Sequence, residues 1–161
     1  IGIQIMPDLS KREMTNIELK GVDFSGKSLK GCRFEGCNFT GANFTGSDLS
    51  EGDFIDCDFS KADFTEANLK DAVFSNSSVK GANFKKAVLT DTSMSEINAM
   101  EADFGNANLV NCSMHECQML NANVAGADLK YADFEGSTGL RTVHMAQAVN
   151  AGCATNIDMA A

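Results

Sequence analysis

Large apolar residues recur at every fifth position between Ile17 and Gly136. This stretch divides into 24 five-residue units without insertion or deletion and covers 120 of the 161 residues. In each unit, the residue two positions before the central one is mostly small, and the residue between them is usually Asp or Asn. A period of five fits neither the 3.6-residue period of an α-helix nor the two-residue period of a strand. The pattern therefore predicts a repeat architecture.

Central residues of the same type recur every twenty positions, which indicates how the units stack. One column of central residues consists of Leu29, Leu49, Leu69, Leu89, Leu109 and Leu129. A second column holds Phe24, Phe44, Phe64, Phe84 and Phe104 before it changes to Val124. Four units per turn would place residues twenty apart above one another, so that like side chains form ladders in a buried core. We expect about six coils, each advancing by about 4.8 Å.

Individual units carry a family resemblance. The unit Ala62-Asp63-Phe64-Thr65-Glu66 resembles the A(D/N)LXX consensus of the pentapeptide-repeat family. The resemblance implies an all-β fold, a right-handed quadrilateral β-helix (a β-solenoid) with four-sided coils. The handedness and the direction of the chain come from this resemblance and not from the spacing.

The N-terminal segment, residues 1–16, is expected to cover the first coil. Alternating Ile1, Ile3 and Ile5 indicate a short strand. The stretch from Leu9 to Met14 is consistent with one or two helical turns. Leu9 and Met14 also keep the five-residue register, so a degenerate partial coil is the alternative.

The C-terminal segment, residues 137–161, is expected to form a helical cap and a tail. Its apolar residues at helical spacing are Leu140, Val143, Ala146 and Val149. Gly152 would end that helix. The helix is interpreted as a lid over the last coil, and a homodimer through this segment is the alternative reading.

The composition excludes several classes of partner. A net charge of −9, from 22 acidic and 13 basic residues, argues against direct binding to nucleic acid or to an anionic membrane. The chain contains no apolar run of about 18 residues, so no membrane-spanning helix is expected. The first residue is Ile1, which leaves open a processed or exported form, or a fragment of a longer chain.

The cysteines are interpreted as small core residues. Five of the six occupy the inward position two residues before a central residue: Cys32, Cys37, Cys57, Cys112 and Cys117. A free thiol packs there as a small apolar group. We expect all six to be reduced, which favours a cytoplasmic location because disulfides are uncommon in reducing compartments.

No catalytic, metal-binding or cofactor motif is visible in the sequence. His115 and His144 are the two histidines, and neither belongs to a recognisable nucleophile or zinc motif. His115 follows a central residue and is expected to be exposed. The sequence predicts a protein that is not an enzyme and that binds no cofactor.

Charge is divided unevenly among the four sides. The units centred on Phe34, Phe54, Phe74, Met94, Met114 and Phe134 form one side, called the acidic side below. It carries seven acidic residues and one basic residue, Arg33, for a net charge of −6. Its acidic residues, the candidate interaction face, are Glu35, Asp53, Asp56, Glu96, Glu116, Asp133 and Glu135.

A second candidate surface is apolar. Met100 and Leu120 each follow a central residue by one position and lie twenty residues apart, so they are expected to be stacked and exposed. Either a partner protein or the C-terminal segment folded back would cover them.

These features predict a non-catalytic scaffold for protein–protein interaction. The resemblance also implies an alternative, because family members that protect or inhibit DNA gyrase are acidic rods thought to imitate duplex DNA. In that reading the chain modulates a type II topoisomerase. A further alternative is a module of a secreted effector or of a larger chain.

Overall fold

The chain winds into a parallel β-solenoid, as the twenty-residue period predicts. The computed structural model describes residues 6–157 and 159–160, so the strand predicted at Ile1, Ile3 and Ile5 lies outside the described residues. One side of the solenoid is a six-stranded parallel sheet in sequence order. Its strands are β1 (Glu13–Thr15), β2 (Arg33–Glu35), β3 (Asp53–Ile55), β4 (Val73–Ser75), β5 (Ser93–Ser95) and β6 (Ser113–His115). Each strand lies one turn beyond the last, and five turns separate β1 from β6.

Backbone hydrogen bonds between successive turns hold the coils together. For example, the Phe64 amide donates to the carbonyl of Asn83 at 2.7 Å. Corners are closed by short side chains: the Asp63 carboxylate accepts a hydrogen bond of 2.9 Å from the Thr65 amide. The corner residue Glu66 then takes a left-handed φ of 58°. Gly46 has the equivalent conformation at φ 64° without the steric cost of a Cβ, which explains the glycines at several corners.

The central residues fill the interior. The Phe and Leu columns identified in the sequence all point inward with 0% exposure: Phe24, Phe44, Phe64, Phe84, Phe104, Leu29, Leu49, Leu69, Leu89, Leu109 and Leu129. Rings in the Phe column stack from turn to turn, with centroids of Phe44 and Phe64 4.9 Å apart. This separation matches the spacing of hydrogen-bonded strands, so the backbone ladder and the ring ladder share one repeat.

From Asp8 onward the N-terminal segment is a partial coil, with no helix between Leu9 and Met14. Leu9 is fully buried and its amide donates to the Ser28 carbonyl at 2.7 Å. Met14 pairs with Phe34 in the parallel sheet. The helical alternative is therefore wrong, because the five-residue register continues upstream of Ile17. Within the described residues, the first bridge between turns joins Asp8 and Ser28.

The predicted C-terminal helix is mostly wrong. Strand β7 (Leu140–Arg141) is followed by a single-turn helix, α1 (Thr142–Ala146), which ends well before Gly152. A 3₁₀ helix spans Ala151–Cys153, and β8 (Met159–Ala160) pairs in parallel with β7.

Most of the C-terminal segment instead continues the coil. Val149 and Thr155 form bridges with Asp128 and Asp133, respectively. The carbonyl of Val149 accepts a hydrogen bond of 2.9 Å from the Leu129 amide. Amides of the last coil would otherwise lie open at the end of the solenoid, and satisfying them outweighs the local preference for a helix. The segment thus covers the last coil without a long helix.

All six cysteines are free thiols. The five inward ones are buried, and Cys153 is exposed. The Cys57 thiol donates to the carbonyl of Phe34 at 3.4 Å, which satisfies its weak donor. Burial raises the pKa of Cys57 to about 11, so this thiol stays protonated and unreactive at neutral pH.

Within the described part of the chain, no helix has the length and apolar content needed to cross a membrane.

Candidate interaction surfaces

The acidic side coincides with the six-stranded sheet. All seven of its candidate acidic residues point outward. Asp56, Glu96, Glu116 and Glu135 are exposed, and Glu35, Asp53 and Asp133 are half-buried. Three of the exposed residues, Asp56, Glu96 and Glu116, occupy the same corner on three turns, with left-handed φ between 52° and 56°, and Asn76 holds that corner on the turn between Asp56 and Glu96. The backbone conformation therefore fixes the positions from which these acidic side chains project into solvent.

Negative charge is concentrated toward the C-terminal end of this side. At the other end, Arg33 lies 3.1 Å from the Glu35 carboxylate and 3.6 Å from that of Asp53. Exposed ion pairs of this kind contribute little stability, but they neutralise the local charge. The corresponding residues 93–96, 113–116 and 133–136 include no Lys or Arg. A cationic partner would meet its strongest attraction there.

An apolar strip lies in the middle of the acidic side. Val73 is 38% exposed and pairs with Asp53, and Ile55 on β3 is half-buried. Interfaces combine a core poor in charge with a polar rim, and this arrangement matches that pattern on a small scale. Neither residue was predicted from the sequence, because the charge of this side drew attention to its acidic residues. The available signal was an apolar residue directly beside a central Phe, on the outward face.

A groove runs along the corner that follows the acidic side. It has a volume of about 590 Å³ and crosses several coils. Its lining is polar: among its residues are Asp56, Asp58, Asn76, Glu96, Asn98 and Gln118, with no Lys or Arg. The Asn76 amide donates to the Asp56 carboxylate at 2.5 Å, which orders the middle of the groove. Such a groove suits cationic side chains of a partner better than an enclosed small substrate.

His115 is half-buried as a residue, but its side chain is 41% exposed, in line with the expected solvent exposure. Its Nε2 lies 3.1 Å from Oδ2 of Asp133. The other oxygen of Asp133 accepts hydrogen bonds from Asn156 Nδ2 at 2.7 Å and from the Glu135 amide at 3.1 Å. The hydrogen bond from Asn156 is the main cause of a lowered pKa at Asp133, and the hydrogen bond with His115 lowers this pKa further.

His115, Asp133 and Glu135 form a cluster whose donor atoms lie within 4.8 Å of one another. This cluster was not predicted from the sequence, because the ligands of common zinc motifs are spaced closely along the chain. The members come instead from successive turns. The twenty-residue period was the signal that could have found them.

The apolar candidate surface is smaller than expected. Met100 and Leu120 lie in one column, since the Glu101 amide donates to the Leu120 carbonyl and the Gly81 amide donates to that of Met100. Leu120 is 51% exposed, but Met100 is half-buried. The chain at Gly139 passes over the Leu120 backbone and leaves its side chain exposed.

Two further apolar side chains are exposed near the C-terminal end. Tyr131 and Val149 are 59% and 49% exposed. Val149 bridges Asp128 on the side that carries the Leu column, and Tyr131 follows at the next corner. The Lys130 ammonium lies 5.2 Å from the centre of the Tyr131 ring. Val149 therefore lies on a different side of the solenoid from Leu120, which follows the central residue Met119.

The repeats match a known family in sequence. A family model for the pentapeptide repeat region matches residues 27–93 and 74–142. No curated protein sequence matches the chain.

Solved structures match the fold. Two are trypsin-treated forms of QnrB1, a plasmid-mediated fluoroquinolone resistance protein. The first is 22% identical in sequence, and the match covers 94% of this chain and 84% of the QnrB1 chain, with a TM-score of 0.70. The second is 21% identical, covers 94% and 85%, and has a TM-score of 0.68. Full-length QnrB1 is 20% identical, covers 89% and 81%, and has a TM-score of 0.54.

Proposed function

The chain belongs to the pentapeptide-repeat family, and we propose that it is a non-catalytic scaffold that binds another protein through its acidic side. The observation that carries the proposal is the uneven charge of the solenoid. One flat side holds a net charge of −6 out of −9 for the whole chain. The partner surface is therefore expected to be basic.

The rigidity of the acidic side supports this role. Its outward residues are attached to a ladder of backbone hydrogen bonds and to fully buried central residues such as Phe34 and Phe54. A surface that is already ordered loses little conformational entropy on binding. Long-range attraction between opposite charges also speeds association and makes it sensitive to salt.

Two variants with equal changes in charge test whether position or net charge matters. The acidic-side variant neutralises Glu35, Asp53, Asp56, Glu96 and Glu116 by Gln or Asn. The charge-matched variant neutralises five acidic residues of the other sides, Glu18, Asp23, Glu66, Glu101 and Asp103. Proteins captured from a cell extract by the wild type should be lost with the first variant and retained with the second. Equal capture by both variants would contradict the proposal.

A second candidate function is modulation of a type II topoisomerase by imitation of DNA. Two observations favour it: the charged rod itself and the fold shared with QnrB1 over 94% of this chain. Charge density limits the imitation. B-DNA carries about one charge per 1.7 Å, so five turns of about 4.8 Å would need about 14 charges. The acidic side supplies a net −6, so the imitation would be partial.

A supercoiling assay with purified bacterial gyrase distinguishes this candidate. Inhibition that weakens with salt and disappears in the acidic-side variant would support DNA imitation. Unchanged supercoiling at tens of micromolar protein would remove this candidate and leave the scaffold proposal in place.

Self-association is a further part of the proposal for the C-terminal end. Leu120, Tyr131 and Val149 expose apolar surface there, and a second copy of the chain would cover part of it. Sedimentation of the wild type and of Tyr131→Ser and Leu120→Ser variants tests this. A monomer at all concentrations would exclude a homodimer.

A further inference from the structure

The cluster of His115, Asp133 and Glu135 joins two successive turns at the C-terminal end of the acidic side. His115 is the last residue of β6. Asp133 lies on the following turn, where it forms a bridge with Ser113 of β6. Glu135 is on the same turn as Asp133, twenty residues beyond His115. The solenoid therefore brings one imidazole and two carboxylates to the same outer face. The side chains of His115 and Asp133 are 41% and 32% exposed, so an ion could reach them from solvent.

The distances suit a small divalent ion. Zinc lies about 2.0–2.2 Å from nitrogen and oxygen ligands, so two ligands are separated by about 2.8–3.1 Å at a right angle and about 3.3–3.6 Å at a tetrahedral angle. The His115 Nε2 and Asp133 Oδ2 atoms are already 3.1 Å apart. Glu135 is exposed, and its donor oxygen lies within 4.8 Å of the other two. Rotation of this one side chain would complete a set of three ligands.

The Asp133 carboxylate is held in a fixed orientation. Asn156 and the Glu135 amide both donate to its Oδ1, which leaves Oδ2 directed at His115. Bonds of this kind orient the carboxylates that bind metal ions. Through Asn156, the C-terminal segment would help to orient the Asp133 carboxylate for metal binding, although it supplies no ligand itself.

The matching position at the other end of the sheet shows what the cluster lacks. There, Arg33 supplies a permanent positive charge between Glu35 and Asp53. No Lys or Arg lies in residues 93–96, 113–116 or 133–136. Among these residues, His115 is therefore the one basic side chain near Asp133 and Glu135. A divalent ion would neutralise these two carboxylates, for which the described part of the chain shows no ion pair with Lys or Arg.

We propose that His115, Asp133 and Glu135 form a surface site for a divalent transition-metal ion, with Zn²⁺ as the reference case. The imidazole selects transition metals over Mg²⁺ and Ca²⁺, which prefer oxygen ligands alone. Three protein ligands leave further coordination positions for water or for a side chain of a partner. Bound metal would link two turns and stabilise the C-terminal end. The site lies within the acidic side, but its metal binding is measured without any partner and so does not rest on the function proposed above.

Calorimetric titration of the full chain with ZnCl₂ at about pH 7.5 tests the proposal, because a coordinating imidazole must be deprotonated. One Zn²⁺ should bind per chain, and Co²⁺ should give a visible absorption band. The His115→Gln variant should bind at least about tenfold more weakly. The His144→Gln variant, which changes the other histidine, should bind as the wild type does. Circular dichroism of both variants checks that the fold is retained.

Two controls separate this site from other binding. Cys153 is an exposed thiol that could itself hold Zn²⁺, so the Cys153→Ser variant should retain full affinity. Excess Mg²⁺ should not displace Zn²⁺ that is coordinated by His115, whereas it would displace Zn²⁺ held only by the negative charge of the acidic side. The proposal is overturned if His115→Gln leaves the affinity unchanged, if Cys153→Ser abolishes binding, or if Mg²⁺ binds equally well. Absence of saturable binding below about 1 mM Zn²⁺ would also overturn it.

Discussion

The rings of Phe64 and Phe84 lie face to face across one turn, with centroids 4.7 Å apart and planes 1° from parallel. Each ring also meets its other neighbour in the column, since Phe84 and Phe104 lie 5.0 Å apart. A substitution in this ladder therefore removes contacts on both faces of one ring. The ladder is the largest aromatic component of the core, and it joins the N-terminal and C-terminal halves of the solenoid.

Truncation of Phe64 to Ala should lower the free energy of unfolding by about 3–5 kcal/mol, as for other buried aromatic side chains. The cost combines lost apolar burial with a cavity that the rigid coils cannot close. Chemical denaturation monitored by circular dichroism measures it. Val88→Ala, at a partly exposed position, serves as the control and should cost less than about 1 kcal/mol. A similarly small loss for Phe64→Ala would show that the central residues do not form a packed core.

Gly52 should not tolerate the Ala that is common at its position in the repeat. A Cβ at Gly52 would lie 2.5 Å from Cζ of Phe54 and 2.9 Å from the Leu49 carbonyl oxygen. The crowding should cost about 1–3 kcal/mol of stability. Cys112→Ala, in the same column, removes one heavy atom and should cost about 1 kcal/mol. If Gly52→Ala proved stabilising in the same denaturation measurement, the position of the Phe54 ring would be wrong.

Thiol reactivity should distinguish Cys153 from the other cysteines. In the native protein one thiol per chain should react quickly with a disulfide reagent, and six should react in denaturant. The inward thiols are buried, and burial raises the pKa of Cys32 and Cys117 to about 11, so little reactive thiolate forms at neutral pH. Cys153→Ser should remove the fast phase. A second fast thiol in that variant would show that a coil opens easily.

Alkaline pH should weaken the fold through the same thiols. In the unfolded chain they ionise near the ordinary pKa of 9.0, whereas burial raises the pKa of Cys57 in the folded state to about 11. The unfolded state therefore loses protons first, and the stability present below about pH 9 should decline as the pH rises toward 11. Replacing Cys32, Cys57 and Cys117 by Ala should flatten this decline in denaturation curves across the pH range. An unchanged slope would assign the effect to other groups.

The sequence predicted the solenoid because its core is periodic. Phe64 and Phe84 are equivalent under the twenty-residue period, so their position and inward direction followed from counting. The same register held for Leu9 and Met14. It could have settled the N-terminal alternatives, since one turn of helix would have left Leu9 without the bond to Ser28 that the partial coil provides.

The C-terminal segment was harder to predict because its conformation is set by long-range contacts. Leu140 and Val149 fit a helical spacing, yet Val149 is held by backbone bonds to the last coil. Local propensity does not include such bonds. The cluster at His115 was missed for a related reason, because its members are separated by eighteen and twenty residues in sequence.

The most direct test of the central claim is the affinity of a captured partner for three proteins: the wild type, the acidic-side variant and the charge-matched variant. Exposed ion pairs contribute about 0.2–1 kcal/mol each, so loss of five should weaken binding by at least about 1 kcal/mol, or about fivefold. All three proteins should have similar melting temperatures, since the substituted side chains lie outside the core. We expect weaker binding only for the acidic-side variant, with a difference that shrinks as salt rises. Equal affinities for the two variants would contradict the claim that this side of the solenoid is the binding surface.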